Sequence, residues 1–252
     1  QIGNEEVTNG DFSQEGSELV TNGDFALNSN WNGVGSNGWS IDTNTQTLNF
    51  TDATSYVFQG IGTVQNKNYK VVLDIELTSG TLIVKSFNAL NIVTINTTGR
   101  QTITAYFKED DTNANFGFIP SGSNVSGKIH SVSVKEVGQD WSFFNGSSMG
   151  DGVATIVGDG SAFGYIQQTN VFEVNKFYKI TADVTINSGL GLKFQDGANN
   201  ENIGFATTSG SYTFYFASTS NTTLVIGRRT GGTAYDSSVN NISVKEVGQH
   251  WN

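Results

Sequence analysis

Cysteine is missing from all 252 residues, which excludes disulfides, thiolate metal sites and cysteine nucleophiles but leaves the compartment open. Proline occurs once, at Pro120, and histidine twice, at His130 and His250. Charge is scarce at 14% and mostly negative, giving a formal net charge of −10, the wrong sign for gripping phosphate backbones. No Lys/Arg cluster offsets it locally, so nucleic-acid binding is excluded as an expectation. Apolar runs of membrane-spanning length are absent, and no charged, apolar, then small-residue leader opens the chain. A soluble, mature or trimmed piece is expected. With 30 glycines and 12% aromatics, the chain is nothing like a charge-rich, aromatic-poor disordered tail. Its length suits one large β domain or two ordinary ones.

What is present is repetition. Ser131-Val-Ser-Val-Lys-Glu-Val-Gly-Gln-Asp-Trp141 recurs as Asn241-Ile-Ser-Val-Lys-Glu-Val-Gly-Gln-His-Trp251, an offset of 110 residues. The same offset sets Trp31 on Trp141 and Trp39 on Met149; one residue of slip sets Asn66–Lys70 on Asn175–Lys179 and Asp74 on Asp183. A unit this long is a whole domain and not a solenoid repeat. Residues 18–137 are expected to form domain A and 138–252 domain B, with Trp251-Asn252 standing where a third copy would begin. A smaller duplication, Glu6-Val-Thr-Asn-Gly-Asp-Phe12 and Leu19-Val-Thr-Asn-Gly-Asp-Phe25, lies ahead of both. Two readings follow. Either the two Thr-Asn-Gly-Asp-Phe strands serve two sheets, the first by donation to domain B or to a neighbouring chain, or residues 1–17 are a loose leader before a single functional strand. The domain limits above adopt the leader.

Apolar residues alternate with period two almost everywhere. In Tyr69-Lys-Val-Val-Leu-Asp-Ile-Glu-Leu77 one face carries Tyr69, Val71, Leu73, Ile75 and Leu77, and the other Lys70, Asp74 and Glu76. Similar runs at 54–61, 81–87, 101–107, 115–119, 128–137, 163–168, 177–186, 190–195, 211–217, 222–228 and 241–247 are separated by Asn-Gly and other turn signals. The pattern predicts an all-β chain of two tandem antiparallel β-sandwiches of jelly-roll type.

The opening Leu19-Val-Thr-Asn-Gly-Asp-Phe25, followed by Trp31 and Trp39, a middle Asn-Lys-x-Tyr-Lys strand and a closing Val-Ser-Val strand, resembles the carbohydrate-binding-module jelly rolls of the type 4/9/22 group. The closing Ser-Val-Lys-Glu-Val-Gly-Gln-Asp-Trp also resembles tandem domains of bacteriophage structural and fibre proteins. Together these cover roughly residues 18–251. The resemblance implies a structural calcium held by an acidic residue near the start and an Asp before the last strand. That later position holds His130 in domain A and Asn240 in domain B, which leaves Asp24 as the candidate calcium ligand. No other cofactor is implied.

Enzyme chemistry finds little support in the residues. The self-comparison pairs His130 with Asn240 and His250 with Asp140, so neither histidine belongs to a repeated Ser-His-Asp arrangement. Asp74 and Glu76 share a strand face, but Glu76 becomes Thr185, so a repeated carboxylate pair for glycoside hydrolysis is absent. Sugar binding has better material, because flat rings stack on carbohydrate faces while amides and charged groups bind hydroxyls. The candidates in domain A are Trp31, Tyr56 and Tyr106 with Lys70 and Asp74, and in domain B Trp141, Tyr165 and Tyr215 with Lys179 and Asp183. Trp39, Lys85, Tyr212, Lys193 and the Arg228-Arg229 pair are secondary. Trp39, replaced by Met149 in the second copy, reads as core. Tyr106 and Tyr215 oppose the apolar parity of their strands and are the expected exposed platforms.

The expected protein is a non-enzymatic virion or extracellular surface protein that attaches to glycans, such as a host-surface polysaccharide, and works in adhesion as a homo-oligomer or within a virion. The alternatives are a structural assembly subunit without ligand, as in a fibre or capsid decoration, and a targeting module of a secreted polysaccharide-degrading enzyme.

Overall fold

Period-two burial is what the alternating runs produce. In a computed structural model describing residues 2–87, 90–112, 115–197, 201–219, 222–229 and 231–248, Val71, Leu73, Ile75 and Leu77 are fully buried while Lys70, Asp74 and Glu76 lie on the opposite face. Among the described residues the strands run β1 Ile2–Glu5, β2 Glu15–Glu18, β3 Trp39–Asp42, β4 Thr47–Ala53, β5 Val57–Gly60, β6 Asn68–Ser86, β7 Leu90–Ile95, β8 Gly99–Lys108, β9 Asn115–Val137, β10 Ser142–Phe144, β11 Ser147–Gly150, β12 Val153–Gly158, β13 Tyr165–Gln168, β14 Phe177–Ser188, β15 Leu192–Asp196, β16 Glu201–Ala206, β17 Gly210–Ala217, β18 Leu224–Arg228 and β19 Tyr235–Val247. The pairings of β1 and of β3 to β19 whose direction follows from their register are antiparallel, no helix appears among the described residues, and the chain is an all-β protein of two β-sandwich units. No described helix is long and apolar enough to cross a membrane.

The units do not follow one another along the chain. One comprises residues 16–136, and the other comprises 1–15 together with 137–252. Residues 1–17 are therefore not a loose leader: β1 pairs with β19, with Ile2 opposite Val247 and Glu5 opposite Lys245. The Thr-Asn-Gly-Asp-Phe segments are not strands either. Each is a turn that follows or precedes a short strand, with Asn9 and Phe12, like Asn22 and Phe25, at positive φ. Asparagine tolerates that region; phenylalanine does so at a cost, met here by burying both rings completely or nearly so.

In the 16–136 unit, β6 and β9 are long enough to serve both layers. The first half of β6 pairs with β8 from Asn68–Lys108 to Leu77–Gly99, and its second half pairs with β7. Likewise β9 pairs first with β5 and then with β4. Gly80, at φ +79, marks the crossover on β6, where a Cβ would press into Val125. In the other unit the same path is cut into separate strands. One sheet has the order β11-β12-β19-β14-β17, with β1 added on β19; the second has the order β10-β13-β18-β15-β16. Between the layers of the 16–136 unit lies a core that includes Trp31, Trp39, Phe50, Tyr69 and Phe118, and Trp39 is confirmed there at 2% exposure. Met149, its counterpart, is also buried. Trp251 and His250 lie outside the described residues.

Candidate functional site

The five-stranded sheet of the second unit turns a row of side chains outward. Phe144 lies opposite Tyr165, Tyr165 opposite Gly227, Gly227 opposite Lys193 and Lys193 opposite Phe205, so the row crosses β10, β13, β18, β15 and β16. Their neighbours Phe143, Ile166, Ile226 and Phe194 are buried, and alternation then places the row on the opposite face. Phe144 and Tyr165 stack with centroids 4.5 Å apart and planes 11° off parallel, and Phe163 extends the stack at 5.2 Å. A Cβ on Gly227 would come within 2.6 Å of Phe163 and 2.8 Å of Tyr165, so glycine leaves the rings room to lean across the strand. At the far end the Arg229 guanidinium lies 5.0 Å from the centre of the Phe205 ring, which is 40% exposed. The face thus offers flat apolar rings flanked by two cations.

The 16–136 unit repeats this on β5. Tyr56, Phe58 and Phe87 form a triangle with centroids 5.3 to 5.7 Å apart, and Tyr56 is 46% exposed. Gly117, opposite Phe58, again keeps the adjoining strand low. Val57 and Phe118 point inward and are fully buried. Lys85, opposite Asn91, continues the outward face along β6 and β7.

Of the residues singled out from sequence, Tyr56 and Tyr165 stand on these faces. Trp31 and Trp141 do not. At 6% and 3% exposure they are core anchors, packed on Phe25 and Phe12 respectively with the same 44° tilt. Their indole nitrogens donate to the carbonyls of Asn22 and Asn9 at 3.2 and 3.1 Å. Tyr106 and Tyr215 lie in the other layer of their units, on β8 and β17, directly opposite Lys70 and Lys179. Tyr215 is 70% exposed, Tyr106 half-buried, and neither ring stacks on another among the described residues. Tyr212, also on β17, takes the N–H groups of Thr207 and Thr208 on its hydroxyl and stacks on Phe214.

Both acids are engaged within their own sheets. Asp74 accepts two bonds from Arg100, at 3.1 and 2.7 Å, and these hold its carboxyl below the usual carboxylate range. Asp183 accepts from Ser211 Oγ and Asn241 Nδ2, which lower it in the same direction. Arg228 and Arg229 part company. Arg228 is buried over the Tyr235 ring and donates to the Gly160 carbonyl, so of the pair it is Arg229 that stands on the outer face. Asp24 is exposed and accepts the Ala26 N–H, and no group of three or more His, Asp or Glu side chains gathers among the described residues. His130 faces Glu76 at 3.7 Å. A separate polar groove of about 400 Å³, walled by Ser40, Asp42, Asn49, Thr51 and Lys128, lies on the opposite layer of the 16–136 unit and offers hydroxyls and amides without an exposed ring.

Phe58, Phe87, Phe144, Phe163 and Phe205 were missed by the sequence reading. Their signal was parity: Phe58 sits out of phase with Val57, and Phe205 out of phase with Ala206, both fully buried.

No protein-family model matches the chain, and no curated protein matches it either. Among solved structures, the tandem CBM22-1-CBM22-2 domain of Xyn10C from Paenibacillus barcinonensis is 7% identical at a TM-score of 0.38, covering 93% of this chain and 99% of its own. A fucolectin from striped bass, Morone saxatilis, is 9% identical at 0.30, covering 91% and 98%. A chain of Sulfolobus Turreted Icosahedral Virus is 15% identical at 0.25, covering 80% and 55%.

Proposed function

We propose that the chain is a non-enzymatic attachment protein, exposed on a virion or outside a cell, whose two sandwich units hold glycans on their ring-bearing outer faces. The observation that carries this reading is the cross-strand row Phe144, Tyr165, Gly227, Lys193, Phe205, with Phe163 stacked behind it and Arg229 at its end. Sugars present C–H faces to rings and hydroxyls to cations and amides, and the row sets Lys193 one strand from Phe205 and two strands from Tyr165. Two such faces in one chain, each weak, multiply into useful avidity on a polyvalent surface. The scarcity of charge fits the same role, since a largely neutral polar surface offers hydrogen-bonding groups to polysaccharide hydroxyls.

A glycan array probed with the whole chain tests the reading. Wild type is expected to retain a defined set of glycans, and Phe144→Ala with Tyr165→Ala to lose about tenfold or more in affinity, the equivalent of roughly 1.4 kcal/mol. Tyr215→Ala, on the other layer, should bind like wild type. Equal binding by the double variant sinks this face as the site. Absence of any bound glycan, with the rings buried between copies instead, would favour a purely structural subunit.

A further inference from the structure

The first Val-Thr-Asn-Gly-Asp-Phe segment reaches its unit as a ligand reaches a receptor. With Glu5 and Glu6 before it, the stretch 5–12 makes most of its bonds to residues beyond 136. The Glu5 carboxylate takes the Val244 N–H at 2.6 Å and the Ser243 hydroxyl at 2.6 Å, and the Glu6 N–H donates to the Val244 carbonyl at 2.9 Å. Gln168 clasps Thr8 at both backbone groups, at 2.9 and 2.8 Å. The Gly10 carbonyl accepts the Ile242 N–H at 2.9 Å, Asn9 binds the Gln139 carbonyl and the Trp141 indole, and Phe12 packs on Trp141. A folded unit, residues 16–136, separates this segment from all of those partners in sequence.

Residues 18–25 do the same in the other unit. Glu18 takes the N–H of Val134 and the hydroxyl of Ser133, Leu19 donates to the Val134 carbonyl, Gln59 clasps Thr21 at 2.7 and 2.8 Å, Gly23 accepts from Val132 and Phe25 packs on Trp31. What is recognised is therefore the octapeptide Glu-x-Val-Thr-Asn-Gly-Asp-Phe, whatever its place in the chain. The segment is also folded on itself: Ser13 bonds to the Asp11 carboxylate and the Gln14 N–H to the Asn9 side chain. For β1 and the segment to leave their own unit, the chain must change path at the joint near residues 14–16.

We propose that the socket formed by Gln139, Trp141, Gln168 and Ile242–Val244 is an acceptor site for this octapeptide and that a second copy of the chain can fill it, exchanging residues 1–15 between molecules. Closure within one chain has the advantage of an effective concentration in the millimolar range for a short tether, so exchange is favoured where copies are held at comparable local concentration, as on a crowded assembly.

Two full-length variants test it. Gly10→Val with Phe12→Ala disables the segment, because any Cβ at residue 10 strikes the Ile242 carbonyl oxygen; Trp141→Ala with Gln168→Ala disables the socket. Mixed, they are expected to form a one-to-one heterodimer by native mass spectrometry, while each alone stays monomeric. A fluorescent peptide of residues 2–14 should bind the segment-disabled chain saturably, a 15–27 peptide should compete, and a Gly10→Val peptide should fail. Monomers alone in the mixture overturn exchange between copies, and absence of peptide binding overturns the socket. Should the disabled chain not fold, wild type carrying a protease site between Gln14 and Glu15 serves: after cleavage the native segment should be replaced by labelled peptide, and its permanent retention or its loss without replacement counts against the proposal. None of these readouts depends on glycan.

Discussion

At the scale of single residues, the structure turns on two glutamines. Gln168 and Gln59 are almost fully buried, and each supplies an acceptor and a donor to one threonine of a Thr-Asn-Gly turn, satisfying backbone groups that no strand pairs. Removing either side chain takes the partners from both backbone groups of an exposed threonine, at about 0.5–1.5 kcal/mol for each hydrogen bond lost. Gln168→Ala is thus expected to lower the urea midpoint of the unit containing residues 137–252. Gln168→Glu should cost comparably at neutral pH, since a carboxylate keeps the Thr8 N–H but cannot donate to its carbonyl. A midpoint unchanged in both would show the clasp to be incidental. The sequence displayed the Thr-Asn-Gly-Asp-Phe duplication plainly, yet nothing marked the glutamines, because a lone Gln at a strand end has no periodicity. The tryptophans misled for a related reason. Aromatic content alone cannot separate Trp31, wedged between Phe25 and Phe118, from Tyr165, stacked on an outer face; the parity of neighbouring residues can.

Strands were the most legible level, since alternation in 69–77 or 177–184 reports burial directly. What alternation does not encode is where a strand changes sheets, so β6 reads as two runs, 69–77 and 81–87, although it is one strand bent at Gly80. Between strands, charge fixes register at matched points: Asp74 on β6 meets Arg100 on β8, while Asp183 on β14 meets Ser211 on β17 and Asn241 on β19. Both carboxyls are held below the ordinary 3.8, chiefly by the Arg100 and Ser211 hydrogen bonds respectively. A depressed folded value means that the stabilisation is complete above the unfolded value and is lost as pH falls through the folded one. The thermal midpoint is therefore expected to be level near neutrality and to fall below about pH 4. Asp183→Asn should flatten that acid limb while lowering the midpoint at pH 7. An acid limb as steep as wild type would assign it to other carboxylates.

The whole molecule is nested, one sandwich inserted into another between residues 15 and 137. An offset of 110 residues reveals that two domains repeat, but self-comparison cannot say which copy of a short segment folds with which body, and the sequential reading assigned 1–17 to neither. Ownership was decided by contacts separated by more than 230 residues, such as Glu5 with Val244. Nesting also makes a sharp prediction, because each unit has its own closing segment and the other serves as an internal control. Deleting residues 1–14 takes from β19 the acceptors of the Ile242 and Val244 N–H groups, and from Trp141 its ring partner Phe12. The equivalent amides of Val132 and Val134 keep Gly23 and Glu18. In hydrogen exchange the deleted chain should lose protection at Ile242 and Val244 by a hundredfold or so, the order expected for about 2.7 kcal/mol, while Val132 and Val134 exchange as in the full chain. Losing Phe12 from the core adds to the effect, since removing a buried phenylalanine side chain costs about 3–5 kcal/mol. Equal loss in both units would mean that they unfold together, and no loss in either would mean that residues 1–14 contribute nothing to the fold. Selective loss is the outcome the nested topology requires.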